Sequence, residues 1–154
     1  MLRISKLTDY ATGLMTQLAV LPDRQVSAQQ LASELRLPLP TVASLLKRLC
    51  RAGLVRGTRG AAGGYSLTRP PAAISVAEVI TTIEGPVALT ECVLGDGKCG
   101  LERDCATRAN WRQISAAVRV ALEAVSLADM ARTLAYPAPR ALKFMPKRGQ
   151  KESP

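Results

Sequence analysis

Three cysteines fall within fifteen positions of a chain that contains no histidine. They are Cys92, Cys99 and Cys105, in the segment ECVLGDGKCGLERDC at 91–105, and the fourth cysteine, Cys50, lies far from them. The glycines between the three cysteines would let a loop fold around one inorganic centre. Soft thiolate ligands without imidazole favour an iron–sulfur cluster, with the fourth ligand coming from elsewhere in the chain or from a partner subunit.

Other chemistries stay open for this segment. A structural zinc site needs four Cys or His ligands, usually in CxxC pairs, which are missing. A thiol redox protein could use Cys99 or Cys105, but the chain lacks the histidine, the CxxC motif and the paired carboxylates that would favour an enzyme. A disulfide framework would leave one cysteine over and would need an oxidising compartment. Cys50, next to Leu49, is predicted to be a core thiol.

The charge of the chain points to a polyanionic partner. The formal net charge is +9, and residues 36–77 contain no Asp or Glu but seven cations. Such a distribution is typical of nucleic-acid binding. The N-terminal residues contain charges and no long apolar run, so the sequence predicts neither a signal peptide nor a membrane span, and we expect a cytoplasmic protein.

The first half of the chain predicts a helix-turn-helix. Apolar spacing and breaking prolines indicate helices at 5–20, 28–36 and 41–52, with a turn at 23–26 and N-caps at Ser27 and Thr41. The third helix would lie in the major groove of DNA. Thr41 and Ser44 would then be near base edges, and Lys47 and Arg48 near phosphates.

A wing is predicted directly after this helix. Strands at 54–56 and 65–67 flank a loop with four glycines, which would bring Arg56 and Arg59 close to phosphates or the minor groove. Neither of the common glycine-rich nucleotide motifs is present, so a nucleotide site is not expected.

The second half predicts a helix at 76–84 and a long helix from Ala106. The long helix carries more apolar residues at helical spacing than a small winged domain can cover, which indicates a dimerisation helix; the alternative is a helix that packs back on its own domain. Those apolar residues are Trp111, Ile114, Val118, Ala121, Leu122 and Val125. A short helix at 127–134 follows, and the basic, proline-rich tail is expected to be disordered with weak affinity for polyanions.

These elements predict a mainly α fold with a small β-wing. We divide it into a winged helix-turn-helix DNA-binding domain at 1–85 and a cysteine-rich cluster-binding loop at 86–105. A dimerisation helix with a short closing helix would occupy 106–134, and a basic tail 135–154.

Several motifs in this order resemble one family of bacterial regulators. They are LTDYA, LVRGTRGAAGGYSL, ISVAEVI, the cysteine triplet and the stretch from Trp111 to Leu127. Over residues 1 to about 134 the chain resembles the IscR and NsrR group (Rrf-type) of winged-helix regulators that carry iron–sulfur clusters. Within that group it looks most like regulators of the SUF iron–sulfur assembly operon.

The resemblance implies a homodimer that binds a double-stranded DNA operator, with no membrane partner and no small-molecule substrate. It makes Cys92, Cys99 and Cys105 the cluster ligands, for a 2Fe–2S cluster in preference to a 4Fe–4S cluster. It also makes Arg59 and its neighbours the wing contacts, and these neighbours are Gly63, Gly64 and Tyr65.

The fourth ligand is where the chain departs from one branch of this group. IscR-like proteins use a histidine three residues after the last cysteine, and Arg108 stands there in this chain. NsrR-like proteins instead use an aspartate from the first helix of the other subunit, which corresponds to Asp9. The alternative for Asp9 is an acid that favours the helix dipole, and Glu91 and Asp104 are local substitutes.

Overall fold

The computed structural model describes residues 4–94 and 105–135 and confirms a mainly helical fold with a two-stranded wing. A short 3-10 turn at Pro71–Ala73 follows the wing. The elements in chain order are α1 (Lys6–Val20), α2 (Ala28–Leu35), α3 (Leu39–Arg51), β1 (Val55–Thr58), β2 (Gly64–Leu67), α4 (Val76–Glu84), α5 (Glu91–Leu94), α6 (Arg108–Glu123) and α7 (Leu127–Ala135).

The first two helices begin at serine caps. Ser5 caps α1, and Ser27 caps α2 in a capping box, since its side chain accepts from Gln30 N–H while the Gln30 side chain accepts from the Ser27 N–H. The predicted cap at Ser27 is therefore confirmed. Arg36 ends α2 in the left-handed conformation, with φ 53°, which makes the sharp break before α3.

The predicted start of α3 at Thr41 is wrong. The helix begins at Leu39, after Pro38 as N-cap, and the Thr41 N–H donates to the Pro38 carbonyl at 3.0 Å. Pro40 fits the first turn of α3 because the N–H that proline lacks would have no intrahelical partner there. At the other end, Gly53 at φ 73° terminates the helix, with Leu54 N–H bonded to the Leu49 carbonyl at 3.0 Å in a Schellman motif.

The wing is longer than predicted and gains a third segment. The two strands pair antiparallel from Val55 opposite Leu67 to Thr58 opposite Gly64. Val26, which we expected in a turn, instead pairs with Tyr65 through two backbone hydrogen bonds of 3.0 and 2.8 Å and is buried. The wing is thus fixed to the residue that precedes α2.

The closing helix packs into the same core as the helix-turn-helix. Leu127 is fully buried in the core cluster, and α7 packs against α1. The segments that precede α4 and α7 also pair, since Val76 N–H donates to the Val125 carbonyl and Leu127 N–H to the Ile74 carbonyl, both at 2.9 Å. The prediction of α4 at 76–84 is confirmed.

The long helix starts at Arg108, two residues later than predicted, because Ala106 and Thr107 belong to the turn that leads into it. Most of the predicted cysteine loop (95–104) and the tail after Ala135 lie outside the described residues. Within the described ranges, no helix has the length and apolar character needed to cross a bilayer.

Candidate nucleic-acid interface and cysteine segment

One face of α3 is buried and the opposite face is open to solvent. Its apolar residues Val42, Leu45, Leu46 and Leu49 enter the core. Ser44, Lys47 and Arg51 lie on the exposed side at intervals of three and four residues, so they form one ridge along the helix.

An open groove of about 690 Å³ runs between α3 and the wing. Lys47 and Arg51 line it from the helix, and Arg59 lines it from the wing tip. None of the described residues that line the groove is a carboxylate. The lining residues are Ser27, Ala28, Ala43, Lys47, Cys50, Arg51, Gly57, Thr58, Arg59, Gly64 and Tyr65. Three cations without a counter-charge make this groove suited to a phosphate backbone. Arg51 lies outside the site residues that we selected from the sequence, although its helical spacing from Lys47 indicated it.

A second groove, of about 300 Å³, lies on the other side of the α3 ridge. Thr41, Ser44 and Arg48 line it together with Leu7 of α1, Pro40 and Leu45. The structure therefore places Thr41 and Ser44 on the α1 side and Lys47 on the wing side of the same exposed helix.

Two of the predicted phosphate contacts have partners inside the chain. The Arg48 guanidinium donates to the Ile83 carbonyl near the end of α4 at 2.5 Å, so this half-buried side chain braces α3 against α4. Arg56 Nε donates across the wing to Ser66 Oγ at 3.0 Å. Lys47, Arg51 and Arg59 are exposed and line the groove, whereas Arg56 is exposed but does not line it.

The wing glycines are required by backbone packing. A Cβ on Gly63 would lie 2.3 Å from the Thr58 carbonyl oxygen, and a Cβ on Gly64 would lie 2.9 Å from that of Val26. Both glycines therefore shape the wing tip. Tyr65 is half-buried against the core and lines the α3–wing groove with its remaining surface.

The two described ends of the cysteine segment lie against the same helix. The backbone of Cys92 belongs to α5, which packs on α6, and Leu89 N–H donates to Ser115 Oγ of α6 at 3.2 Å. Cys105 is half-buried just before α6; its carbonyl accepts from Arg108 N–H at 3.2 Å, and its Sγ lies 3.5 Å from Thr107 Oγ1. The side chain of Cys92 and all of Cys99 lie outside the described residues. This thiol donor set, with no histidine in the chain, fits an iron–sulfur cluster.

Cys50 has a different environment from the cysteine segment. It lies on α3, is half-buried, and packs against the core. Burial raises the pKa of the Cys50 thiol, which disfavours the thiolate needed for ligation or nucleophilic attack. These features agree with the predicted core thiol, although its outer edge also reaches the α3–wing groove.

Asp9 lies in the first turn of α1 and is exposed. Its backbone N–H donates to the Ser5 carbonyl at 3.0 Å, and its carboxylate makes no hydrogen bond or ion pair with another residue in the described ranges. This carboxylate is thus accessible from outside the subunit.

A hydrogen-bond network that the sequence did not indicate joins α1 to the end of α4. Glu84 Oε1 accepts from Thr8 Oγ1 at 2.5 Å and from Ser5 N–H at 3.0 Å. The hydrogen bonds from Thr8 and then from Ser5 lower the pKa of Glu84. Thr8 is fully buried one residue before Asp9. The one sequence signal for this network is the presence of Ser5 and Thr8 at the start of α1, since serine and threonine side chains often hydrogen-bond at helix N-termini.

Comparisons with known proteins agree with this architecture. The model of the Rrf2 family, described as iron-dependent transcriptional regulators, matches residues 4–133. The HTH-type transcriptional repressor NsrR of Streptomyces coelicolor is 29% identical over 84% of this chain and 88% of that protein. The structure of CymR, the global cysteine regulator of B. subtilis, superposes with a TM-score of 0.73 at 31% identity, covering 86% of this chain and 98% of CymR. IscR of T. potens gives a TM-score of 0.70 at 28% identity, over 90% and 93% of the two chains.

The helix-turn-helix ends in α3, which would be the recognition helix, and the wing follows it. Together with the similarity to the structures of CymR and IscR, these features define a winged helix-turn-helix transcriptional regulator. The chain belongs to the Rrf2 family, and its predicted resemblance to the IscR and NsrR group is confirmed.

Proposed function

We propose that the protein is a dimeric DNA-binding regulator whose operator affinity depends on an iron–sulfur cluster. Cys92, Cys99 and Cys105 would hold the cluster, and Asp9 of the partner subunit would be its fourth ligand. The cluster, when bound, supplies a centre that responds to redox, nitrosative or iron–sulfur status.

The position of Cys105 carries this proposal. It lies three residues before the start of α6, and its carbonyl accepts the hydrogen bond of Arg108, the first residue of that helix. The α5 backbone that contains Cys92 packs on α6 too. A change in the thiolate ligation of this segment would therefore act directly on the start of α6.

The outer face of α6 supports dimer formation. Among its residues only Ser115 is buried, while Trp111 and Ile114 are 39% and 45% exposed. If this face pairs with a second copy, α6 sets the distance between the two α3 helices. Dimeric helix-turn-helix proteins need half-sites about one DNA turn or a multiple of it apart, so a small shift would change operator affinity.

The DNA interface would be the α3 ridge with the wing. Thr41 and Ser44 would contact base edges, while Lys47, Arg51 and Arg59 would contact phosphates. Arg48 and Arg56 would contribute mainly by fixing α3 and the wing, since both already bond within the chain. The SUF iron–sulfur assembly genes are the first operators to test, because the sequence resembles regulators of that operon.

The first experiment is anaerobic purification with a visible spectrum and assays of iron, acid-labile sulfide and zinc. We expect matched iron and sulfide in the wild type and their loss in Cys105→Ser. Cys50→Ser is the matched control and should keep the cluster, because Cys50 lies on α3. Operator binding is then measured with and without cluster, and we expect the two affinities to differ.

Two results would contradict this proposal. A colourless protein that stays colourless after reconstitution would leave a zinc-containing or cluster-free regulator. Equal operator affinities in both states would leave a repressor with a structural cluster. For the fourth ligand, Asp9→Ala should alter the spectrum while Asp23→Ala, in the exposed turn after α1, should not. An unchanged Asp9→Ala spectrum would remove Asp9 from the site.

A further inference from the structure

Helix α4 is fixed at its N-terminal end to the segment that leaves α6. Val76 N–H donates to the Val125 carbonyl and Leu127 N–H to the Ile74 carbonyl, each at 2.9 Å. Val125 follows the C-terminal end of α6 by two residues. These bonds give a displacement of α6 a direct route to the start of α4.

The C-terminal end of α4 is fixed to two other helices through neighbouring residues. The Ile83 carbonyl accepts from the Arg48 guanidinium of α3, and the Glu84 carboxylate accepts from Ser5 and Thr8 of α1. Gly85, at φ 90°, then turns the chain toward α5 and the cysteine segment. Helix α4 thus connects α6 both with α3 and with the first turn of α1, which contains Asp9.

We propose that Glu84 is a positioning residue that couples the cysteine segment to α3 by holding the last turn of α4 against α1. This inference rests on the proposed function. Thr8 is fully buried, and Glu84 is the acceptor of its hydroxyl hydrogen bond in the described structure. Without that acceptor the last turn of α4 loses its contact with α1, and the Ile83 carbonyl that holds Arg48 loses its fixed position.

The test compares operator dissociation constants of cluster-loaded and cluster-free protein in the full chain. For the wild type we expect their ratio to be at least about fivefold, the lower end of typical coupling between sites. Glu84→Ala should bring this ratio to within about twofold of one with an unchanged visible spectrum. Glu84→Gln should keep the wild-type ratio, because its amide oxygen can accept both hydrogen bonds.

A matched control and a cluster-independent readout accompany this test. Glu34→Ala removes a carboxylate that accepts from Gln17 of α1 at 2.6 Å, but Glu34 lies on α2 and the ratio should not change. In the cluster-free protein, hydrogen exchange at the Ser5 and Thr8 amides should be faster in Glu84→Ala and wild-type-like in Glu84→Gln.

The outcomes separate this inference from the proposed function. A wild-type ratio near one would overturn the sensor proposal and the coupling with it. A wild-type ratio that Glu84→Ala leaves intact would overturn the coupling role alone. An altered spectrum in Glu84→Ala would show that Glu84 acts on cluster binding itself, either directly or through the α1 turn that contains Asp9, and would also overturn the coupling role.

Discussion

Arg59 and Lys47 reach the α3–wing groove from opposite walls, one from the wing tip and one from the helix. Each exposed cation that neutralises a DNA phosphate releases counterions, so the logarithm of affinity falls with the logarithm of salt by about 0.9 per contact. Arg59→Ala should therefore weaken binding to all sequences and make the slope shallower by about that amount. Fluorescence anisotropy over a salt series measures both effects.

The control for Arg59 is a cation away from this groove. Arg132 lies on α7, is exposed, and pairs with Asp129. Arg132→Ala also lowers the net charge by one, so it should leave the salt slope unchanged if the groove is the interface. Equal slopes for Arg59→Ala and wild type would remove the wing tip from the DNA contacts.

At the scale of single residues, the sequence predicted which side chains are exposed on α3 better than what each one contacts. The 3.6-residue period was sufficient to place Ser44 and Lys47 opposite the core. It could not show that Arg48 reaches the Ile83 carbonyl, because that bond joins residues 35 positions apart. Gly64 is similar, since the backbone that a Cβ there would meet, that of Val26, comes from the segment before α2.

Three helix starts depend on carboxylates with lowered pKa values. Hydrogen bonds from Ser126 and Arg132 lower the pKa of Asp129 at the start of α7. Burial raises the pKa of Glu78 in the α4 cap, but hydrogen bonds from Arg69 and Ser75 outweigh it and the pKa is lowered. The pKa of Glu84, which accepts from Thr8 and from Ser5 at the α1 cap, is lowered as well.

These groups predict a loss of stability in acid. A depressed folded-state pKa means that the unfolded chain binds more protons as the pH falls below about 4.3 for Glu and about 3.9 for Asp. The three groups therefore stabilise the fold above those values, and their contribution disappears as the pH drops through the folded-state pKa. Thermal unfolding from pH 7 to pH 3 should show a decreasing Tm.

The combined variant Glu78→Gln, Glu84→Gln and Asp129→Asn supplies the comparison. It should have a lower Tm than wild type at pH 7 and a flatter dependence below pH 5, because its caps no longer titrate. Parallel curves for the two proteins would show that these carboxylates do not control the acid sensitivity.

At the scale of elements, the sequence predicted the helices well and the pairings between segments poorly. Caps and breakers such as Ser27, Pro38 and Gly53 are local signals, and they set most helix ends to within two residues. The bridges of Val26 with Tyr65 and of Ser75 with Ser126 are isolated pairs between distant segments. Such pairs have no periodic pattern, so the sequence did not reveal the third wing segment.

At the scale of the whole molecule, the apolar stripe of α6 could be read from the sequence because it repeats at helical spacing. The structure adds which part of that helix the subunit covers itself: Ser115 is buried, while Trp111, Ile114 and the nearby Val125 remain exposed. In the proposed dimer a second copy covers this face, and no pattern within one chain specifies the geometry of that contact.

The dimer proposal predicts that Ile114→Glu produces a monomer. A carboxylate in an apolar interface loses its hydration without gaining a partner, so dimerisation should weaken at least tenfold, or ~1.4 kcal/mol. Val120→Glu is the matched control. Val120 is even more exposed, at 59%, but six residues further along a 3.6-residue helix it lies on another face.

Sedimentation analysis of cluster-free protein measures this effect without depending on metal content. We expect Ile114→Glu to sediment as a monomer and to bind a two-half-site operator more weakly, because each subunit then binds one half-site alone. Val120→Glu should stay dimeric with wild-type affinity. A dimer that survives Ile114→Glu but dissociates in Val120→Glu would move the interface to the face of α6 that carries Val120, and the cysteine segment would then have to act on the DNA-binding domain through α4 alone.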